Sequence, residues 1–313
     1  MGVVLDQLEQ TTGAPSSSSA AAKDDAQAVC HEWQIAAEAD DEVAVDDGLL
    51  IFPAHLCNSL RELHINECLE LSLEPSLPNM GHETRGAAKR GGLQALHSLH
   101  NLRLFICPKF LSANKTLSSS CCPFPSSLQT LSLYRVEGMG TLESLSNLTS
   151  LTELGIYFCG KDLKSDGLWS LVTQGQLSGL EVTGSPKFFA GLDPLRGLQD
   201  EYQEQLRYSS KLRNLTTDDV AVFTEPICSI LSSSLISLRI HDNREVERFT
   251  KEQEHALQLL TSLRNLEFWG CDKLQCLPSG LDRLPNLETP LIIRPYPPET
   301  SSQVSGNEEP TQQ

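Results

Sequence analysis

The chain has 313 residues, of which 24 are Lys or Arg and 41 are Asp or Glu, so its formal net charge at neutral pH is −17. This acidic excess argues against binding to nucleic acid or to an anionic membrane, because both partners require a stripe of basic side chains. The sequence contains no run near the ~18 apolar residues of a membrane span and no secretory signal, so we expect a cytoplasmic protein.

The first 48 residues lack the pattern that marks the rest of the chain. Ala14–Ala22 is a low-complexity run of Pro, Ser and Ala typical of a flexible linker, and Asp24–Asp47 holds nine acidic residues and no Lys or Arg. We therefore predict an acidic, disordered N-terminal segment over residues 1–48. Within it, a short helix over Val29–Ala37 around Trp33 is the one candidate element.

From residue 49 one motif recurs, clearest at Leu263–Leu274, which reads L-R-N-L-E-F-W-G-C-D-K-L. Leu266 and Phe268 are two residues apart, so a short strand directs both to one face and leaves Trp269 on the other. The spacing matches the core of a leucine-rich repeat. One such strand cannot bury its own apolar face, and the pattern therefore needs neighbouring copies.

Nine copies follow one another, with successive first leucines 23 to 39 residues apart, most of these steps within or near the ~20–29 residues of one repeat. The anchors are Leu60, Leu99, Leu128, Leu151, Leu177, Leu212, Leu235, Leu263 and Leu287. Two copies are degraded, with Thr217 and Pro290 in apolar positions. The pattern predicts an α/β fold: a leucine-rich-repeat solenoid, or horseshoe, with a parallel concave sheet and about nine irregular repeats over residues 49–293. A disordered Pro-rich tail is expected over residues 294–313.

The connections between repeats contain two predicted helices and two insertions. Ser165 and Asp166 can cap a helix that ends at Gly175, and Thr250 begins a capping box. An exposed loop around residues 75–92 and a second insertion over Pro186–Arg207, with residues 200–207 as a candidate helix, explain the two longest steps between anchors.

The cysteines do not suggest a disulfide framework or a zinc site. The chain has ten cysteines and no C-x-x-C, and four of them occupy the inward Asn/Cys position of their repeats: Cys68, Cys107, Cys159 and Cys271. Small buried thiols explain these four, so we predict reduced, protected cysteines, with Cys121 and Cys122 on an exposed link.

The sequence shows no motif for catalysis or for a cofactor. It contains no phosphate-binding loop, no dinucleotide fingerprint, no H-E-x-x-H pair and no G-x-S-x-G elbow, and its eight histidines are scattered. We expect neither enzymatic activity nor a cofactor or bound metal.

A protein-binding surface is expected on the concave face, where the residue after the second apolar position of each strand points away from the core. This column includes Phe105, Tyr134 and Tyr157 on three consecutive repeats, and His241 and Trp269 further along. Arg103 and Arg135 lie close to the aromatic residues in sequence. Exposed aromatic residues beside arginine are typical of binding hot spots. The alternative is that these rings only cover gaps in a shallow sheet.

Three phrases, at residues 171–191, 245–263 and 266–278, resemble the C-terminal leucine-rich-repeat region of plant, especially cereal, intracellular immune receptors of the nucleotide-binding leucine-rich-repeat class. The resemblance covers about residues 29–290. It implies a protein partner: a pathogen effector, a host guardee or a neighbouring nucleotide-binding domain held in an autoinhibited state.

The chain departs from that class because it has neither the coiled-coil nor the nucleotide-binding domain, as expected of a truncated paralogue. No ATP/ADP switching can therefore be assigned to its residues. The alternative function is a cytosolic leucine-rich-repeat scaffold or substrate adaptor unrelated to immunity, although residues 1–48 do not resemble the docking domain that an adaptor needs.

Overall fold

The computed structural model describes residues 3–7, 32–37, 56–71, 93–111, 123–174, 176–192 and 210–293, the first two ranges by their backbone. These residues form one eleven-stranded sheet whose strands follow one another in chain order. The strands are β1 (Val3–Gln7), β2 (Glu32–Ala37), β3 (Glu62–Asn66), β4 (Asn101–Phe105), β5 (Thr130–Tyr134), β6 (Glu153–Tyr157), β7 (Gly179–Thr183), β8 (Asn214–Thr217), β9 (Ser237–His241), β10 (Asn265–Trp269) and β11 (Thr289–Ile293).

The nine strands β3 to β11 pair in parallel, and each begins two residues after a predicted anchor leucine. Each repeat returns the chain to the same edge of the sheet, and the period of two directs alternate side chains into the core. Leu266 and Phe268 are both 0% exposed, as the motif requires. The predicted parallel-sheet leucine-rich-repeat solenoid is confirmed.

The sheet begins earlier than the sequence pattern indicates. β2 pairs in parallel with β3, and β1 pairs antiparallel with β2. The short helix predicted over residues 29–37 is therefore wrong, because residues 32–37 form a strand. The physical reason is a period of two: Trp33 and Ile35 align in register with Leu63 and Ile65, so E-W-Q-I continues the alternation of the repeats and meets an otherwise unpaired strand edge.

Within the part of the chain that the structure describes, three short α-helices lie in the connections: α1 (Leu168–Gln174), α2 (Glu225–Leu231) and α3 (Lys251–Leu257). The predicted helices α1 and α3 are confirmed. Thr250 forms the expected capping box, in which its hydroxyl accepts from the Gln253 amide and its own amide donates to Gln253 Oε1.

A ladder of polar side chains inside the solenoid ties several repeats to the one before. The Cys159 thiol donates to the Leu133 carbonyl (3.4 Å), the Cys271 thiol to the Ile240 carbonyl (3.7 Å), and the Asn243 amide to the Asp218 carbonyl (2.6 Å). The four predicted inward cysteines are buried, and none of the described cysteines forms a disulfide.

The two degraded repeats remain strands. Thr217 is 0% exposed, and its hydroxyl accepts from the Asp219 amide, which satisfies the buried oxygen. Pro290 lies in β11, which pairs with β10 alone among the described strands, a place where a missing amide donor is tolerated. Cys121, Cys122, the loop at residues 75–92, the candidate helix at residues 200–207 and the tail at residues 294–313 lie outside the described residues.

Candidate functional site

The face of the sheet opposite the core, which we call the concave face, brings three of the predicted residues together. Phe105, Tyr134 and Tyr157 are register partners on β4, β5 and β6. The Phe105 and Tyr134 rings are stacked with centroids 4.5 Å apart and an interplanar angle of 14°. The Tyr134 and Tyr157 centroids are 6.4 Å apart, with the rings tilted by 37°. The three rings form one continuous surface.

A fourth ring, not expected from the sequence, extends this surface. Phe158 is 53% exposed, and its ring packs edge-on against Tyr134 with centroids 5.8 Å apart. The strand ends at Tyr157, and Phe158 follows it with φ of 55°, in the left-handed region. A strand pattern assigns this position to the turn, which is why the prediction omitted it. We call Phe105, Tyr134, Tyr157 and Phe158 the aromatic patch.

Two guanidinium groups border the aromatic patch. The central carbon of the Arg135 guanidinium lies 5.5 Å from the centroid of the Tyr134 ring, within cation–π range. Arg103 is exposed on β4 and lines a small cavity together with Tyr157. Neither guanidinium forms an ion pair with a carboxylate of the described residues. Both charges are therefore available to a partner.

Tyr157 is the most constrained ring of the patch. Its ring and hydroxyl occupy the space that a side chain at position 155 would fill, because residue 155 is glycine. Its hydroxyl donates a 2.8 Å hydrogen bond to Glu181 Oε2. Burial raises the pKa of Tyr157, and the Glu181 carboxylate raises it further, whereas the positive charge of Arg103 opposes the rise. Tyr157 thus fills a gap in the sheet, while Phe105, Tyr134 and Phe158 supply the outward contact area.

The remaining two predicted residues form a separate pair. His241 and Trp269 stack with centroids 6.3 Å apart and an interplanar angle of 7°. They lie on β9 and β10, and β9 is three strands from β6, roughly 14 Å at ~4.8 Å per strand. Between the two groups, the same column presents little surface to a partner, because Thr183 and Asp218 are only 6% and 8% exposed. The seven predicted residues therefore belong to two surfaces.

Two other kinds of site, a metal site and a membrane-spanning helix, are absent from the described residues. No group of three or more His, Cys, Asp or Glu residues among them could hold a metal ion. None of their helices is long and apolar enough to cross a membrane.

Comparison with known proteins finds similarity only at the level of the leucine-rich-repeat fold. No family model matches the chain, and no curated protein matches it. Among solved structures, it is similar to the leucine-rich repeat domain of the type III effector XopL, at 17% identity and a TM-score of 0.40, over 75% of this chain and 69% of that one.

Proposed function

We propose that this chain is the recognition module of a plant intracellular immune receptor, or of a truncated paralogue of one, and that it binds a protein partner through the aromatic patch. The partner would be a pathogen effector, a host guardee or a nucleotide-binding domain, met in the cytoplasm. Repeat solenoids bind proteins along extended concave surfaces, and their scaffold needs no catalytic chemistry to do so.

The observation that carries the proposal is the composition of the aromatic patch. Phe105 is 40% exposed and Phe158 is 53% exposed, and both rings pack against Tyr134. Rings already held by one another lose little conformational entropy on binding, so more of the contact energy reaches the complex. Arg103 and Arg135 stand at the border without ionic partners among the described residues. Aromatic and Arg side chains are the residues most enriched at hot spots, where one truncation removes ~2 kcal/mol or more.

The choice of partner class rests on the sequence. The phrases at residues 171–191 and 245–263 resemble the repeats of plant immune receptors. Both phrases form regular parts of the repeats. The first contains β7 and the connection that leads into it, and the second contains α3. This resemblance supports a role in defence, and the patch supports the way in which the partner is bound.

Comparative co-purification tests the proposal. The tagged full-length chain would be recovered from infected and uninfected leaf tissue beside the double variant Phe105→Ala with Tyr134→Ala, and the bound proteins would be identified and quantified. We expect a defined effector, guardee or nucleotide-binding partner with the wild type and at least tenfold less of it with the double variant. Affinity measured with the purified partner should fall by the same factor.

The matched control is Leu69→Ala, which removes another exposed apolar side chain, 44% exposed, from outside the aromatic patch. It should keep the partner, and both variants should melt as the wild type does. Equal recovery with the double variant would overturn the patch as the binding surface. Recovery of ubiquitin-ligase subunits alone, equally from both tissues, would overturn the immune role and favour the adaptor.

A further inference from the structure

A cavity of about 740 Å³ opens along the edge of the sheet where the strands begin, away from the aromatic patch. Its lining comes from the residues just before and just after the anchor leucines of five consecutive repeats, from Ser178 in the fifth to Asn286 in the ninth. The volume falls within the ~300–1,000 Å³ of small-molecule sites. The lining is polar and carries several serine hydroxyls.

The charge of this cavity is opposite to that of the chain. Its charged lining residues are Lys211, Arg213 and Arg264, and no acidic side chain lines it, although the whole chain has a net charge of −17. The Lys211 ammonium donates to the neutral Gln176 side chain at 2.8 Å. None of the three cations forms an ion pair among the described residues. Three cations thus line one cavity without an ion-pair partner among the described residues.

One carboxylate, that of Glu153, approaches the fifth-repeat end of the cavity from the concave face. Glu153 accepts a hydrogen bond from the Ser178 hydroxyl at 3.1 Å. Its carboxylate lies over Gly179 on the concave face, where a side chain at residue 179 would overlap it. Ser178, which lines the cavity, thus binds the Glu153 carboxylate from the other side.

Three of the lining residues have backbone amides that are already hydrogen-bonded within the sheet, which leaves their side chains to contact a ligand. The amides of Arg213, Ile236 and Arg264 each donate to the carbonyl of the preceding repeat, at 2.8, 2.8 and 2.9 Å. Arg213 and Arg264 stand two repeats apart, with backbones roughly 9.6 Å apart at ~4.8 Å per strand, and Ile236 lies between them. Two exposed guanidinium groups on long side chains can each take one anionic group from opposite ends of the same ligand.

From this arrangement we propose that the cavity binds a small polyanion that carries two or more phosphoryl groups. Arg forms bidentate hydrogen bonds to phosphate oxygens, and Lys211 adds a third charge. Ser178, Ser262 and Asn286 supply neutral polar groups around the charged centre. A linear polyphosphate carries more charge than a single phosphate and can place a separate phosphoryl group on each guanidinium, so it should bind more tightly.

Calorimetric titration of the full chain with sodium tripolyphosphate, at constant ionic strength, tests the proposal. We expect saturable one-to-one binding, with orthophosphate and sulfate at least tenfold weaker. The double variant Arg213→Gln with Arg264→Gln should weaken tripolyphosphate binding at least tenfold, and Lys211→Gln alone should weaken it measurably. Because these three side chains are exposed, the unliganded variants should melt as the wild type does.

Arg61→Gln is the matched control, since Arg61 occupies the same position after its anchor leucine, is exposed, and lies outside the cavity. It should bind tripolyphosphate within twofold of the wild type. The proposal is overturned if the wild type shows no saturable binding, if sulfate binds as tightly as tripolyphosphate, or if Arg61→Gln loses as much affinity as the double variant.

Discussion

The Tyr157 hydroxyl donates a 2.8 Å hydrogen bond to Glu181 Oε2 on the neighbouring strand, and the ring reaches that carboxylate by crossing the space above Gly155. Glycine at position 155 is what allows the crossing, because a Cβ atom there would lie 2.7 Å from the ring. An aromatic column that looks uniform in the sequence thus contains one ring fixed across the sheet beside two stacked ones.

Alkaline titration should detect this bond. The wild type contains five tyrosines, and burial beside Glu181 raises the pKa of Tyr157, so it should ionise after an ordinary exposed tyrosine. Because the native state then holds this proton more tightly than the unfolded state, the Tyr157 contribution to stability persists below pH ~10 and is lost as pH rises through the native pKa. Absorbance at 295 nm should show a late phase that disappears in Tyr157→Phe. Glu181→Gln should move that phase to lower pH, and an unchanged phase in both variants would contradict the assignment.

The inward leucines should control global stability. Leu238 and Leu266 are 0% exposed, so truncation of either to alanine leaves a cavity that a tight repeat core cannot close. We expect a loss of ~2–5 kcal/mol in the free energy of unfolding, measured by chemical denaturation. The exposed Leu69→Ala should stay within ~0.5 kcal/mol of the wild type. Unchanged midpoints for both core variants would show that the strand register is wrong.

Substitution of asparagine for the adjacent residues Asp218 and Asp219 should change the melting temperature in different ways. Burial raises the pKa of both carboxyl groups. Asp219 accepts from the Phe189 and Ala221 amides, so both of its oxygens are used, whereas Asp218 Oδ1 accepts no hydrogen bond from the described residues. Asp219→Asn should lower the melting temperature at every pH, since one acceptor becomes a donor facing an amide, at a cost of ~1–3 kcal/mol.

Asp218→Asn should instead show a pH-dependent difference from the wild type. The native state binds the Asp218 proton more tightly than the unfolded state, so wild-type stability decreases as pH rises from ~4 through the native pKa. The melting temperature of Asp218→Asn relative to the wild type should therefore be highest at pH 7 and decline as the pH is lowered toward 4. A constant difference over this range would mean that Asp218 does not titrate there.

Thiol labelling should follow position in the solenoid. Cys276 is exposed and should react first among the described cysteines. Burial raises the pKa of Cys228 to about 12, and the hydrogen bond with Cys107 raises the pKa of Cys68, so little reactive thiolate forms at either. Mass spectrometry of the native protein treated with a thiol reagent should find Cys276 modified well before Cys159 and Cys271. Early labelling of the inward cysteines would contradict the interior ladder.

Strand positions could be predicted from the sequence because one leucine in each repeat fixes the register. The strands that contain Thr217 and Pro290 could also be placed, since the neighbouring residues keep the period of two. Helix α2 was missed, because E-P-I-C-S-I-L is too short for its apolar spacing to distinguish a helix from a strand.

The candidate site was predictable in part. Phe105, Tyr134 and Tyr157 follow from the alternation of the strands. The contact of Phe158 with Tyr134 and the crossing of Tyr157 over Gly155 depend on a turn conformation and on a neighbour's missing side chain, which no period in the sequence encodes. The burial of Asp218 likewise depends on its bond to the Gly184 amide in the adjacent repeat.

In the turn after most strands, a non-glycine residue strains the backbone but adds a side chain to the surface. Phe158, Arg135, Ile106, Glu67 and Asp242 adopt positive φ values of 52–55°, whereas Gly184 and Gly270 occupy the equivalent place without strain. Each non-glycine residue there carries a cost of ~1 kcal/mol or more. Exchange for glycine would relax the backbone and erase the side chain that a partner meets, as at Phe158. A thermostabilised version of this solenoid, built by the usual choice of glycine at such turns, would therefore be a molecule with a smoother rim and fewer means of telling partners apart.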